Sequence, residues 1–444
     1  MKRMTLSLIL LLSLVSATAG GQPRAHVPAS PAFGVALNRP ADIRQETFDI
    51  VWRTVKEKHW DPTLGGVDWD KVRKQYEPLA REAKTDNDFY KVLQQMLEEL
   101  HQSHFQIIPP DAIVNDDSSE PRGGSPGIDI RFIDRQAVIS RIEPGSKAEA
   151  AGVRAGFVVE KIDGVPVGLI VDRFKNSKES AAITRTRITR ATLARINGTP
   201  ASTVRLSLLD QSDHPTEVTL ERVRLKGEMS ERFGNFPPQY TEFEAKRIES
   251  GIGYIRFNIF VMLLMNRIKE AIREMHGAPG IIIDLRGNPG GLGGMAAGIA
   301  GVLETKETSL GVMTMRVGYN RFAVFPQPNP YTGPVVILTD GGSASTSEIF
   351  AAGMQEIGRA TVVGERTMGA ALPSIFFKLP TGAIFQYAIA DFKTPKGVMV
   401  EGNGVTPDVE VKLTRKALLT GIDPQLQAAI TQVKKQSKSV AGGR

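Results

Sequence analysis

The sequence predicts a multidomain α+β chain: a helical N-terminal segment, a middle segment of short strands, and an α/β core. Three observations carry that expectation. Near the N-terminus apolar residues recur at helical spacing. Between Gly127 and about Lys226 short apolar runs are punctuated by turn residues. From about Gly251 continuously apolar strands alternate with helical stretches, the pattern of a sheet covered on both faces.

Composition bounds the rest. With 444 residues, 41% hydrophobic and 23% charged, the chain is ordinary globular material rather than a disordered one. At roughly 100–200 residues per domain it holds about two to four domains. The net charge of +7 is small for this length and spread along the chain. Its nearest approach to a basic run, Lys434, Lys435, Lys438 and Arg444, reads as a solvated tail rather than a nucleic-acid arm. The absence of cysteine excludes thiol catalysis, disulfides, Cys-zinc sites and lipid attachment through a leading Cys.

In chain order, residues 1–19 read as a signal peptide. Lys2 and Arg3 supply the positive region, Leu6 to Val15 is apolar apart from Ser7 and Ser13, and Ala17-Thr18-Ala19 fits small-x-small cleavage. No later stretch offers the roughly 20 apolar residues of a spanning helix. The expectation is an exported protein, periplasmic or extracellular, with no stable membrane span. Residues 20–40, rich in Pro, Gly and Ala, read as a flexible leader.

Residues 41–118 form the expected helical domain. Phe48, Val51, Trp52 and Val55 make one stripe; Phe89, Val92, Leu93, Met96, Leu97 and Leu100 make another, opened by a capping-box-like Thr85-x-x-Asp88. Linker chemistry follows, with Asn115 to Glu120 and then Gly123-Gly124. Residues 119–226 are the expected β domain: a strand at Ala137–Ile139, a turn at Glu143–Ser146, a small helix at Ala148–Ala151, a strand at Val158–Ile162 closed by Asp163-Gly164, and paired strands at Thr203–Leu209 and Val218–Val223. Residues 227–415 are the expected core, with strands at Ile252–Phe257, Ile281–Ile283, Val335–Leu338 and Thr361–Val363 and helices at Leu263–Met275, Ala296–Leu303 and Glu348–Ile357. Residues 416–444 are a C-terminal helix and tail, and there is no internal repeat.

Three loops carry chemistry. Asp284 to Gly294 joins a buried strand to a helix and is glycine-rich, which exposes backbone N–H groups to an anion or a developing oxyanion. Its Gly291-x-Gly293-x-x-Ala296 matches a dinucleotide fingerprint only formally, because residues 311–317 hold no acidic partner. Thr339 to Glu348 also joins a buried strand to a helix, as a nucleophile elbow does. Its Ser, Thr and Asp residues are equally ordinary helix caps, and local logic does not choose among Ser343, Ser345 and Ser347. The third is Ser103-His104, where a hydroxyl stands beside one of the chain's six histidines.

Taken together these segments resemble the C-terminal processing (tail-specific) protease family, whose relatives include the tricorn protease core. The resemblance spans nearly all of residues 45–412. It rests on Asp284-Leu285-Arg286-x-Asn288-Pro289-Gly290-Gly291, Gly342-Ser343-Ala344-Ser345-Thr346-Ser347-Glu348-Ile349, Val363-Gly364-Glu365-Arg366-Thr367-x-Gly369 and Glu401-Gly402-x-Gly404-Val405-x-Pro407-Asp408. It implies a helical segment, a PDZ-like domain over 119–226 and a crotonase/ClpP-like peptidase core. It also implies Ser345 as nucleophile, with Thr346 and either Gly290 or Gly291 as oxyanion donors. In the PDZ-like segment, Ser125-Pro126-Gly127-Ile128 stands where a carboxylate-binding loop belongs. Residues 168–198 look like a basic, polar insertion ahead of that domain's usual helix.

One departure reshapes the expectation. Many members carry a base lysine in a Thr-Phe-Gly-Lys element, which here reads Thr367-Met368-Gly369-Ala370, and no lysine lies between Ser345 and Lys378. The tricorn-like branch uses a histidine beside a serine, backed by a glutamate, and Ser103, His104 and Glu401 match that set. The expectation is therefore an exported serine endopeptidase without metal or cofactor. It cuts proteins with free C-termini or unstructured tails, has no nucleic-acid partner, and is compatible with an adaptor or self-association. The alternative is a catalytically inactive binding protein on the same scaffold.

Overall fold

The computed structural model describes residues 41–112, 123–175, 177 and 179–442. The expected signal peptide, leader, Asn115–Glu120 linker and Arg444 lie outside the described residues.

Three helices open the described chain: Ala41–Lys58, Trp69–Glu82 and Asp86–Glu98. The third starts as its sequence suggests, with the Thr85 hydroxyl accepting the Asp88 N–H. The second carries its own stripe of Trp69, Val72, Tyr76 and Ala80, which Pro78 disguises in the sequence. Their apolar faces pack with Leu372, Leu379, Phe385 and Tyr387 from the far end of the chain. The core of the helical segment is thus completed by a small antiparallel sheet of Gln106–Ile108, Ile384–Ala388 and Ser374–Lys378, and it does not end at residue 118.

The middle segment is an antiparallel sheet ordered Ile128–Ile133, Gln136–Ile142, Val158–Ile162, Thr203–Leu209 and Pro215–Glu221. Alternation along these strands puts Ile128, Ile130, Ile139, Val159, Val204, Leu206 and Leu208 into one core. The expectation for residues 168–198 is corrected here. They are no insertion ahead of a helix: they contain the helix, Ala181–Ile196, which packs against the edge strand Ile128–Ile133. Four arginines and four threonines among its 16 residues hide the apolar Ile188 and Ile196 it buries.

The core is a six-stranded sheet ordered Phe243–Arg247, Gly253–Phe257, Ile281–Asp284, Val335–Thr339, Thr361–Gly364 and Val409–Glu410. The first pair is antiparallel and the rest parallel. Period-two alternation explains the continuously apolar strands: Ile281, Ile283, Val335, Ile337 and Val362 face the helices Met262–Glu274, Gly294–Ala300 and Thr346–Glu356. Ile282, Val336, Leu338 and Val363 face the other way, onto Ala429, Ile430 and Val433 of the helix Pro424–Gly442. The expected C-terminal helix is therefore docked on the sheet, and Lys434, read as part of a solvated tail, lies within it and pairs with Glu249. No described helix is long and apolar enough to cross a membrane.

Both glycine-rich loops leave the carboxyl ends of neighbouring parallel strands, Ile281–Asp284 and Val335–Thr339, which is where open α/β sheets place their sites.

Candidate active site

Ser345 sits between the strand Val335–Thr339 and the helix Thr346–Glu356 with φ 54° and ψ −119°. A non-glycine residue at positive φ is strained, and a nucleophile elbow exposes its hydroxyl in that way. The strain is held from behind: the Ser345 N–H donates to the Ala370 carbonyl at 2.8 Å and to Glu348 Oε2 at 3.1 Å. The neighbouring serines do other work. Ser343 donates to the Leu285 carbonyl at 2.7 Å and Ser347 to the Asn288 carbonyl at 2.9 Å, so both are buried ties between the two loops.

The Ser345 hydroxyl faces His104 Nε2 at 3.2 Å. On the other side of the imidazole, Nδ1 lies 2.7 Å from Ser103 Oγ. Ser103 Oγ donates to Glu401 Oε2 at 2.9 Å, and the Ser103 N–H donates to Oε1 at 2.8 Å. A third donor, the Ala371 N–H, reaches Glu401 Oε2 at 2.9 Å. One hydroxyl has one proton. Given to Glu401, it leaves a Ser103 lone pair for His104 Nδ1–H, and Nε2 is free to accept from Ser345. Residues 103, 104, 345 and 401, distant in sequence, thus meet in one hydrogen-bonded line.

Burial sets the electrostatics. It pushes the His104 imidazole down to about 4, below the ordinary 6.5. Burial also pushes the Glu401 carboxyl up, against the Ser103 and Ala371 amides and the Ser103 hydroxyl, which favour its anion. Glu348, fully buried, is pushed up to about 7 by burial while four donors hold it back: the Thr367 hydroxyl and the Gly369, Ala370 and Ser345 amides. Ala370, the residue that closes the Thr367-Met368-Gly369-Ala370 element, is buried and spends its N–H on Glu348.

The loop facing Ser345 is built by motif side chains that sequence pattern alone gives no role. Asp284 takes the Arg286 guanidinium and the Tyr254 hydroxyl; burial would raise its carboxyl, but Arg286 holds it well below the usual range. Asp340 accepts the Gly287 and Gly342 N–H groups, both at 2.8 Å, and Arg131 Nε at 2.9 Å. Asn288 Oδ1 accepts the Gly290 N–H at 2.9 Å. That bond occupies the Gly290 amide, one of the two candidate oxyanion donors. Gly290 is needed for closeness, since a Cβ there would sit 2.7 Å from Ser345 Cβ. Among the described residues, the Gly291 and Thr346 amides find no protein acceptor, and the Thr346 hydroxyl donates to the Gly291 carbonyl at 2.8 Å. Glu348 was legible as position three of a Ser345-x-x-Glu348 capping box.

The candidate carboxylate loop lies in the β domain, apart from this line. Pro126 has no N–H, Gly127 donates to Ser125 Oγ at 3.1 Å, and Ile128 opens the edge strand. Gly127 has φ 87°, and a Cβ there would strike Ser146. Ser125 and Gly127 line a depression of about 170 Å³ with Ser146, Lys147 and Lys226. Among the described residues no group of three or more His, Asp or Glu could hold a metal ion.

The model of Peptidase family S41 matches residues 251–411, and that of the Tricorn protease C1 domain matches residues 40–98. A carboxyl-terminal-processing protease of Picosynechococcus is 29% identical over 373 residues, 82% of each chain. The chloroplastic C-terminal processing peptidase of Tetradesmus obliquus is 26% identical over 381 residues, 83% of this chain and 77% of that one. Among solved structures, the photosystem II D1 C-terminal processing protease aligns over 86% of this chain and 99% of its own with TM-score 0.55 and 22% identity. The tricorn protease aligns over 90% of this chain and 37% of its own with TM-score 0.52 and 20% identity. At such identity these two structures establish the shared mixed α/β fold.

Proposed function

The chain belongs to peptidase family S41, the C-terminal processing serine peptidases, and from that premise we propose that Ser345 is its nucleophile and His104 its general base. The observation that carries this reading is the 3.2 Å approach of His104 Nε2 to Ser345 Oγ. His104 takes the hydroxyl proton as Ser345 Oγ attacks the scissile carbonyl. Ser103 passes the influence of Glu401 to Nδ1, orienting the ring and stabilising the imidazolium that forms. The Gly291 and Thr346 amides receive the oxyanion. The imidazolium then protonates the leaving amine, and a water, deprotonated by the same imidazole, releases the acyl group and restores Ser345.

The substrates are proteins with free C-termini or unstructured tails, taken up by a PDZ-like domain over 119–226 and cut in a crotonase/ClpP-like core over 227–415. Support for the first part is the edge strand Ile128–Ile133 beside the helix Ala181–Ile196, where an extended peptide can add a strand. Export, ahead of a mature chain beginning near residue 20, rests on the N-terminal sequence alone. No observation favours the inactive-scaffold alternative.

The test is stoichiometric fluorophosphonate labelling, with the modified residue located by peptide mapping. Label at Ser345 is expected, and label elsewhere or none overturns the nucleophile assignment. A C-terminally amidated substrate is expected to be cut more slowly than the free acid; equal rates overturn carboxylate recognition.

A further inference from the structure

The segment that carries the base is held in an unfavourable shape. Between the helix Asp86–Glu98 and the strand Gln106–Ile108, His101 has φ 52° and His104 φ 62°, both left-handed and neither a glycine. Such conformations persist only where the surroundings over-determine them. Glu401 holds the loop from one side through Ser103. The other side is held by His59, fully buried at the end of the first helix.

His59 Nδ1 lies 3.0 Å from the Asp61 N–H nitrogen and 2.9 Å from the Asp61 carbonyl oxygen, and the acceptor facing Nε2, Gln102 Oε1, calls for the proton of the neutral ring on Nε2. Nε2 lies 3.0 Å from Gln102 Oε1. The same ring stacks on Phe105, with centroids 5.3 Å apart and planes 8° from parallel. His59 therefore grips the residue before Ser103 and the residue after His104. Its own backbone is fixed by Arg316, whose guanidinium donates to the His59 carbonyl at 3.3 Å from the turn between the strands Thr308–Met315 and Tyr319–Val324. An aliphatic side chain here could fill the space but could not donate to Gln102, and a lysine could donate but not stack.

We propose that His59 is a positioning residue for the base: through Gln102 and Phe105 it holds His104 Nε2 within reach of Ser345. This rests on His104 acting as the base. His59 touches neither Ser345 nor the expected oxyanion donors, so losing it leaves substrate binding intact and lowers the fraction of enzyme in which the proton can transfer.

The test uses the full chain with His59→Leu, His59→Gln, Gln102→Leu and the double variant His59→Leu/Gln102→Leu. Displacing a catalytic group by about 1 Å can cost on the order of 100-fold, so kcat on an unfolded protein and the fluorophosphonate rate at Ser345 should both fall about 10–100-fold in His59→Leu, with KM unchanged. His59→Gln, which restores a donor for Gln102, should recover part of the loss. Gln102→Leu should lose rate in the same way, and the double variant should be no slower than the slower single one, because one linkage is removed twice. Thermal melts check folding; if His59→Leu does not fold, Gln102→Leu at its half-buried position decides. Wild-type kcat in both Leu variants, a rise in KM alone, or multiplied losses in the double variant overturns the proposal. A wild-type enzyme that labels at Ser345 yet survives His104→Ala instead overturns the premise that His104 is the base.

Discussion

Arg131, on the edge strand of the β domain, places its Nε 2.9 Å from Asp340 Oδ2 in the peptidase core, and Asp340 in turn holds the Gly287 and Gly342 amides. One carboxylate thus joins the β domain to both loops that meet at Ser345. Burial would raise the Asp340 carboxyl, but Arg131 and these amides hold it below its usual value. Arg131→Ala leaves a buried anion without its cation, a strongly destabilising change locally. Because the loops rather than the substrate site are loosened, the expected outcome is a fall of about 10-fold or more in kcat, with a slower fluorophosphonate rate. Arg131→Lys should rescue little, since the same guanidinium also donates to the Ile130 carbonyl. Unchanged kinetics in Arg131→Ala would make the contact mere packing.

The three serines of the elbow should separate by phenotype. Ser345→Ala is expected to abolish cleavage with little change in melting temperature. Ser343→Ala and Ser347→Ala should do the reverse: each deletes a buried donor to a carbonyl in the facing loop, so each should cost about 1–3 kcal/mol of stability while cleavage persists in the folded fraction. Equal loss of activity in all three, at equal stability, would contradict the assignment of Ser345.

Much of this was legible in the sequence, for reasons that differ by region. Ile281 to Ile283 read as a doubly covered strand because both faces do bury, one on the helix Met262–Glu274 and its neighbours, the other on the C-terminal helix. The C-terminal helix was expected but its docking on the sheet was not, and the helix at Ala181–Ile196 was obscured because it presents a narrow apolar stripe among many arginines and threonines. Ser103, His104 and Glu401 could be matched to a pattern, but their meeting is a long-range fact, with Glu401 298 residues from Ser103. That the Gly290 amide is already occupied was invisible for a different reason. It depends on where the Asn288 side chain points, which no local pattern encodes. A lone histidine near a helix end, such as His59, gives no periodic or motif signal.

The line from Glu401 to Ser345 predicts a graded series. His104→Ala should cost about 10³–10⁴ in kcat, the order lost when a triad member is removed. Ser103→Ala and Glu401→Gln should cost less, because each leaves the imidazole present but poorly oriented. Ala370→Lys should not rescue His104→Ala: position 370 is buried, with its N–H on Glu348 and its carbonyl on Ser345, so an added ammonium has no prepared place. Rescue by that lysine, measured as restored kcat, would show that the site still accommodates the base of other members.

The last prediction concerns pH and separates activity from stability. His104 must be neutral to accept a proton, and burial lowers it to about 4. The acid limb of kcat/KM should therefore lie well below the 6.5 of an ordinary histidine, with the enzyme still active near pH 5. Stability follows the opposite bookkeeping of protons. Burial lowers the folded-state values of both His59 and His104, so below about pH 6.5 the unfolded chain binds protons that the folded one does not. Their contribution is present above that pH and is lost as pH falls from about 6.5 toward 4. The raised carboxyls work against this. Glu348, at about 7, and Glu401, raised by its burial, take up protons in the folded state first, which offsets part of the loss between about pH 7 and the ordinary glutamate value. Denaturant melts from pH 8 to pH 4 should show wild type losing stability on acidification, and His104→Phe, which cannot protonate, losing less. An acid limb of kcat/KM centred near 6.5 would mean that the imidazole is hydrated, or stabilised by the Glu401 anion, more than its burial implies.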